Sequence, residues 1–166
     1  IDDFRGATTT TDGGIVLAAG SDSHQNGDVG AGNGVTDIWL VKLKTNGDTA
    51  WTKLLGGASE DFSNSITATP DGGCVVAGTT RSNNSGDVGA TEGGYDFFIA
   101  KVNANGQKLW SKTIGGSRDD EATSILVKPN GDYVISGLSE SSNTGDMAGL
   151  ITNGGFDWWI VNMKDR

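Results

Sequence analysis

One cysteine, one histidine and two prolines occur in 166 residues. A single cysteine excludes an intrachain disulfide framework. Cys74 lies in the apolar run Cys74-Val75-Val76-Ala77, where a small buried hydrophobe is expected rather than a nucleophile. His24 stands alone, so a histidine-based metal centre or a Ser-His-Asp triad would have to be built on a single loop residue. Cations are scarce as well: 12 Lys and Arg face 21 Asp and Glu, for a net charge of −9. That balance argues against nucleic acid or an anionic membrane as partner, since both need clustered basic residues. No run of about 20 apolar residues occurs, so no membrane insertion is expected. Phosphate-loop, Cys-x-x-Cys and His-Glu-x-x-His motifs are missing. No segment shows a helical period. No secretory leader precedes Ile1, which suggests a chain processed from something longer.

Glycine, by contrast, is abundant, with 27 of the 166 residues, more than double the usual share of about 7%. With so few prolines and no collagen period, this composition reads as many tight turns. The glycines recur at a fixed interval. Asp12-Gly13-Gly14, Asp71-Gly72-Gly73 and Asn130-Gly131-Asp132 are 59 residues apart, as are Gly27-Asp28-Val29, Gly86-Asp87-Val88 and Gly145-Asp146-Met147. Asp2, Asp61 and Asp120 keep the same spacing. Asp37 and Asp96 are 59 apart, but Asp157 follows after 61, which places a two-residue insertion within 149–153, in a loop. The chain divides into repeats of about 2–60, 61–119 and 120–166 within one segment.

Each repeat reads as short strands joined by hairpin signals. Strand a is Ser65–Thr69 and Ser124–Lys128. After the Asp-Gly-Gly turn comes strand b, at Ile15–Ala18, Cys74–Ala77 and Tyr133–Ser136. A polar loop of about 16 residues follows, longer than an ordinary hairpin connection. Strand c is Ile38–Leu43, Phe97–Val102 and Trp158–Met163; an Asn-Gly turn then leads to strand d, at Trp51–Leu55 and Trp110–Ile114. Strands b and c are apolar on both faces, so both faces need cover. The expected fold is all-β: blades of a β-propeller, each of four antiparallel strands, with about 2.8 repeats present. Closed propellers take about four to eight blades, so further repeats or self-association are expected to complete a ring.

The segments Gly93-Gly94-x-Asp96-Phe97-Phe98-Ile99-x-Lys101-Val102 and Asn105-Gly106-x-x-x-Trp110-x-Lys112-x-x-Gly115-Gly116 carry a family resemblance, together with Asp120-x-x-x-x-Ile125 and Tyr133-Val134-Ile135-Ser136-Gly137. They resemble the β-propeller repeats of bacterial secreted and cell-surface proteins, including the Bacteroidetes type. The resemblance covers essentially the whole chain. It implies an extracellular setting and display or adhesion rather than a reaction. Val102 to Trp110 is also similar to the tryptophan-docking motif of quinoprotein propellers.

Candidate site residues fall mainly in the b–c loops. Asp22, Asn26, Gly27 and Asp28 echo a calcium loop, but His24 and Asn33 occupy ligand positions and Arg81 opens the second copy. Asp28, Asp87 and Asp146 recur in all copies. They are candidate ligand-binding or, with Asp22, metal-binding residues, and calcium is the candidate ion. Repetition itself favours a scaffolding role, with the carboxylates accepting backbone N–H bonds. Tyr95, where the other copies have Thr36 and Phe156, is a candidate ligand contact. Trp39, Phe98 and Trp159, with Phe97 and Trp158 beside them, and Trp51 and Trp110 read as packing residues. The acidic pairs Glu60-Asp61 and Asp119-Asp120 recur at repeat boundaries and read as turn residues, not a hydrolase dyad. The expected function is a non-catalytic extracellular scaffold or adhesion module presenting its loops to a protein or glycan. Alternatives are a carbohydrate-binding or calcium-stabilised propeller, or part of a quinoprotein-like or glycosidase propeller enzyme.

Overall fold

The computed structural model describes residues 2–23 and 29–165. Among these residues the chain is all-β, in three antiparallel sheets that follow the three repeats. The first sheet holds β1 (Asp2–Thr9), β2 (Ile15–Ser21), β3 (Asp37–Leu43) and β4 (Thr49–Leu55), paired in chain order. The second holds β5 (Asp61–Ala68), β6 (Cys74–Thr80), β7 (Asp96–Val102) and β8 (Lys108–Ile114). The third has three strands, β9 (Asp120–Val127), β10 (Tyr133–Ser139) and β11 (Asp157–Met163), and β11 is left as an edge.

Turn chemistry explains the meander. Gly13, Gly72 and Gly131 adopt φ of 79°, 83° and 86°, a left-handed conformation that favours glycine, and so close the hairpins between first and second strands. Strand a is longer than its apolar run suggests. It begins at Asp61 and Asp120, four residues earlier, because these acids pair with Thr80 and Ser139 at the head of the sheet. A bulge at the same place in every first strand separates this polar head from the apolar part.

Alternation along the strands gives each sheet two apolar faces, and the faces stack in one sense. Val16, Ala18, Ile38 and Leu40 of the first sheet meet Cys74, Val76, Phe98 and Ala100 of the second. The other face of the second sheet, Val75, Ala77, Phe97 and Ile99, meets Tyr133, Ile135, Trp159 and Val161 of the third. Every residue of β6 and β7 is buried as a result. The sheets converge at their first strands: β1 contacts β5, and β5 contacts β9. Side chains stitch these strands together. Asn64 Nδ2 donates to Ala122 O at 2.8 Å, Thr8 Oγ1 accepts from Ala68 N at 3.1 Å, and Ser65 Oγ accepts from Ile125 N at 3.2 Å.

A lysine on the third strand ties the a–b turn down at the opposite end. Lys42 Nζ lies 2.8 Å from Asp12, and Lys101 Nζ lies 2.9 Å from Asp71 and 2.5 Å from Asp165. Both lysines are buried. Burial pushes the Asp71 carboxyl up, but hydrogen bonds from Thr69, Lys101 and the Gly73 N–H outweigh it and hold the group below its ordinary range. The third repeat exchanges the pattern, with Lys128 Nζ donating to Asn162 Oδ1 at 2.9 Å.

Close approach makes Gly137 irreplaceable. A methyl there would lie 2.2 Å from Glu121 O and 2.4 Å from the Phe97 ring. Gly137→Ala is expected to lower unfolding free energy by about 1–3 kcal/mol through overpacking. Gly30→Ala, with nothing within 4 Å, should stay within about 0.5 kcal/mol of wild type. Urea unfolding of the two variants decides it, and equal effects would contradict the stacking geometry.

Candidate functional site

Acidic side chains at the heads of the sheets organise the loops. Asp61 Oδ1 accepts from Thr80 Oγ1, while its Oδ2 accepts from Gly57 N at 2.7 Å and Ser82 Oγ at 2.9 Å. Asp120 repeats the arrangement with Ser139, Gly116 N at 2.7 Å and Ser141 Oγ at 2.8 Å. Ser21 Oγ donates to Asp2 Oδ1 at 2.5 Å in the first repeat. Asp61 and Asp120 thus head β5 and β9 and each accepts a backbone N–H of the preceding connection. Ser82 and Ser141 pass the network on, accepting from Ser59 N at 2.9 Å and Arg118 N at 3.0 Å.

The recurring Gly-Asp of the b–c loop is placed by the same logic. Asp87 N donates to Gly56 O at 2.7 Å and Asp146 N to Gly115 O at 2.8 Å. Their carboxylates accept in return from Gly56 N at 3.4 Å and Gly115 N at 3.2 Å. Asp87 also pairs with Lys108 at 2.7 Å. The next residue, Val88 or Met147, is buried and pins the loop to the core. Asp28 and His24 lie outside the described residues. Asp22 is exposed and lines a cavity of about 230 Å³ with Arg5 and Phe62. Asp22, Asp87 and Asp146 sit in separate loops. Among the described residues no group of three or more His, Cys, Asp or Glu gathers to hold a metal ion.

A further buried carboxyl, Asp96, is one the sequence offered only as a strand-start acid. Asp96 is 1% exposed. Its Oδ2 accepts from Glu92 N at 2.8 Å, and its buried Oδ1 has no hydrogen-bond partner among the described residues. It lines a cavity of about 150 Å³ with Glu92, Asp146 and Thr113. Burial pushes its pKa up to about 7, helped by the charges of Asp120, Asp146 and Glu92 and opposed by the Glu92 N–H. Glycine is required beside it: a methyl on Gly115 would lie 1.8 Å from Asp96 Oδ1 and 3.0 Å from Asp120 Oδ2. Asp61 is also raised, chiefly by burial, with Asp37 adding to it.

Tyr95 belongs to a cluster between the first and second repeats that does not recur among the described residues. Its hydroxyl donates to Glu60 Oε2 at 3.0 Å, and the Arg81 guanidinium lies 4.7 Å from its ring centre. Arg81 and Glu60 also pair at 3.5 Å. Burial and Glu60 push the phenol upward. Arg81 and Glu60 line a cavity of about 350 Å³, and Tyr95 lines an adjacent one of about 240 Å³ with Arg5, Asn64 and Glu121. Periodicity alone could have pointed to Arg81, since Asp22 and Glu140 fill its place elsewhere.

The aromatic residues divide by face. Phe98 is buried between the first two sheets, where Trp51 packs and donates its Nε1 to Ala104 O at 2.9 Å. Phe97 and Trp159 meet at 5.0 Å between the second and third, and Trp110 stands edge-on to Tyr133 at 5.7 Å. Trp39 is half-buried on the outer face of the first sheet. Trp158 departs from the packing expectation: it is 84% exposed, because it faces away from the second sheet and no sheet among the described residues covers it. A cleft of about 550 Å³ between Trp110–Lys112 and Asn162–Lys164 lies beside the open edge of β11. Cys74 is buried, and burial pushes its thiol up to about 12, so it is no nucleophile at neutral pH.

No family model matches the sequence. The chain is similar to the Regulatory protein FlaEY of Caulobacter vibrioides, at 25% identity over 174 residues covering 96% of this chain. It spans only 18% of that protein's length.

Asp96 makes stability depend on pH in a defined direction. Its ordinary value is 3.8, and about 7 in the fold, so between those values the native state binds the extra proton. Stability therefore falls as pH rises from about 4 to about 7 and is flat beyond. Asp96→Asn carries no charge at any pH. Its melting temperature should exceed wild type by several degrees at about pH 8, with most of that gain gone at about pH 4.5. An equal difference at both pH values would contradict the assignment.

Proposed function

We propose that the chain is a run of β-propeller blades acting as a non-catalytic scaffold that presents its b–c loops to a partner at a bacterial cell surface. Support for blades comes from the convergence of the sheets at β1, β5 and β9, which is how wedge-shaped stacked sheets surround an axis. Support for the extracellular setting comes from the family resemblance of the repeats. Support for binding rather than catalysis comes from the recurring acids Asp61, Asp120, Asp87 and Asp146, whose carboxylates hold loops. The likeness to a protein described as regulatory is in keeping with a binding role.

One observation carries the position of the binding patch. Arg81, Tyr95 and Glu60 form a charged and aromatic cluster on a framework that otherwise repeats. Binding sites are unique where scaffolding is periodic, and aromatic and arginine side chains dominate contact energies. A glycan is the second reading, favoured by the Tyr95 ring beside cavities lined by Arg, Asn and Glu.

Tyr95→Ala is expected to weaken binding to an array of bacterial surface glycans and purified envelope proteins at least tenfold, with melting unchanged within about 3 °C. Leu109→Ala, an exposed site on β8, should bind as wild type. Equal binding by both variants, or no binding by wild type to either class, would remove this patch as the site.

A further inference from the structure

Two cavities open side by side where the first strands of the three sheets converge. One, of about 230 Å³, lies between the first and second sheets and is lined by Asp3, Arg5, Asp22 and Phe62. The other, of about 240 Å³, lies between the second and third and is lined by Arg5, Phe62, Asn64, Tyr95 and Glu121. Phe62 and Arg5 belong to both, so the two join into one concave surface. The period explains the pairing: Asp3, Phe62 and Glu121 are 59 residues apart, as are Arg5 and Asn64. Each cavity sits at a junction between successive sheets, not on an outer face.

The lining combines flat apolar surface with hydrogen-bonding groups of both kinds. The Phe62 and Tyr95 side chains are half-buried, so part of each ring stays within reach of a ligand. Arg5 and Asn64 carry N–H donors, and Asn64 and Glu121 carry acceptors. Asn64 is held in place by its bond to Ala122 O at 2.8 Å, and Tyr95 by its hydroxyl on Glu60 at 3.0 Å. Charge then selects. An anion would face Asp3, Asp22 and Glu121, and the one guanidinium beside them is already paired with Asp3 at 2.6 Å. A cation would face Arg5 in either cavity. An uncharged ligand meets neither opposition.

We propose that this double cavity binds an uncharged oligosaccharide of at least two sugar units. A sugar ring has an apolar C–H face, which packs on Phe62 or Tyr95, and an edge of hydroxyls that both donate and accept, which Arg5, Asn64 and Glu121 satisfy. Two cavities that share an aromatic wall take two consecutive rings. Their joint volume falls within the range of about 300–1,000 Å³ usual for ligand sites. The proposal rests on the glycan reading of the Tyr95 patch and extends it to Phe62, Asn64 and Glu121.

An array of neutral, uronate-bearing and amino-sugar glycans, probed with the full chain, tests the ligand class. Binding is expected on neutral glycans of two or more units and not on the charged ones. Calorimetric titration with the strongest neutral hit should give an affinity that changes less than about twofold between about 0.05 and 0.5 M salt, since no ion pair forms. Phe62→Ala and Glu121→Ala should each weaken it at least about tenfold, whereas Leu109→Ala should not. Circular dichroism checks folding; should Phe62→Ala fail it, Phe62→Leu removes the ring and keeps apolar volume. Binding of charged glycans alone, equal affinity for a monosaccharide, or undiminished affinity in the Phe62 variant would each overturn the proposal. An envelope protein bound through Tyr95 but indifferent to Phe62→Ala and Glu121→Ala, with no glycan bound, would overturn it too and leave the loop-display reading intact.

Discussion

Val75, Ala77, Phe97 and Ile99 can leave water only because Tyr133, Ile135, Trp159 and Val161 of the next repeat lie against them. The same holds one repeat earlier, where Ile38 and Leu40 meet Phe98 and Ala100. Full burial of a side chain of this size is worth about 1.5–3 kcal/mol, whereas a typical hydrogen bond contributes about 0.5–1.5 kcal/mol net. Stacking therefore outweighs the ladders as the source of stability, and no single sheet could persist without a neighbour. Glycine at 137 and the converging first strands are consequences of bringing the faces this close.

Polar groups then decide how the stack is finished at its ends. At one end, Asp61 and Asp120 satisfy the N–H groups of the sharp Gly-Gly connection and the hydroxyls that begin the loop. At the other, Lys42 and Lys101 reach along the core to the turn carboxylates. Asp96 is the exception to this economy of partners. It is held among Asp120, Asp146 and Glu92 with one oxygen unpaired among the described residues, and the crowding forces glycine at 115. The loops are therefore set on an acidic platform, from which residues that differ between repeats, such as Arg81 and Tyr95, project.

Much of the fold is legible in the sequence because spacing survives where side chains vary. The period of 59 residues, the turn glycines and the apolar runs of β2, β3, β6 and β7 locate three sheets and the insertion before Asp157. Periodicity does not reveal which neighbours are present. Trp158 and Phe97 are equivalent in sequence, yet one is exposed and the other buried, since exposure belongs to the array and not to the residue. The acids heading the first strands read as turn residues because their partners, Thr80 and Ser139, are 19 positions away. Lys42 and Lys101 gave no apolar signal, although each follows its turn aspartate by 30 positions in both repeats. The Arg81–Tyr95–Glu60 cluster joins three loops, and only Tyr95 stood out by its departure from the repeat.

Because stacking is the stabilising interaction, protection should follow it. Amide hydrogen exchange measures this directly. The amides of β6 and β7, in the sheet covered on both faces, should exchange slowest and only through global unfolding. Those of β1 and β11, at the two uncovered ends, should exchange at least tenfold faster. Equal protection across all three sheets, or greater protection in the third, would contradict the account.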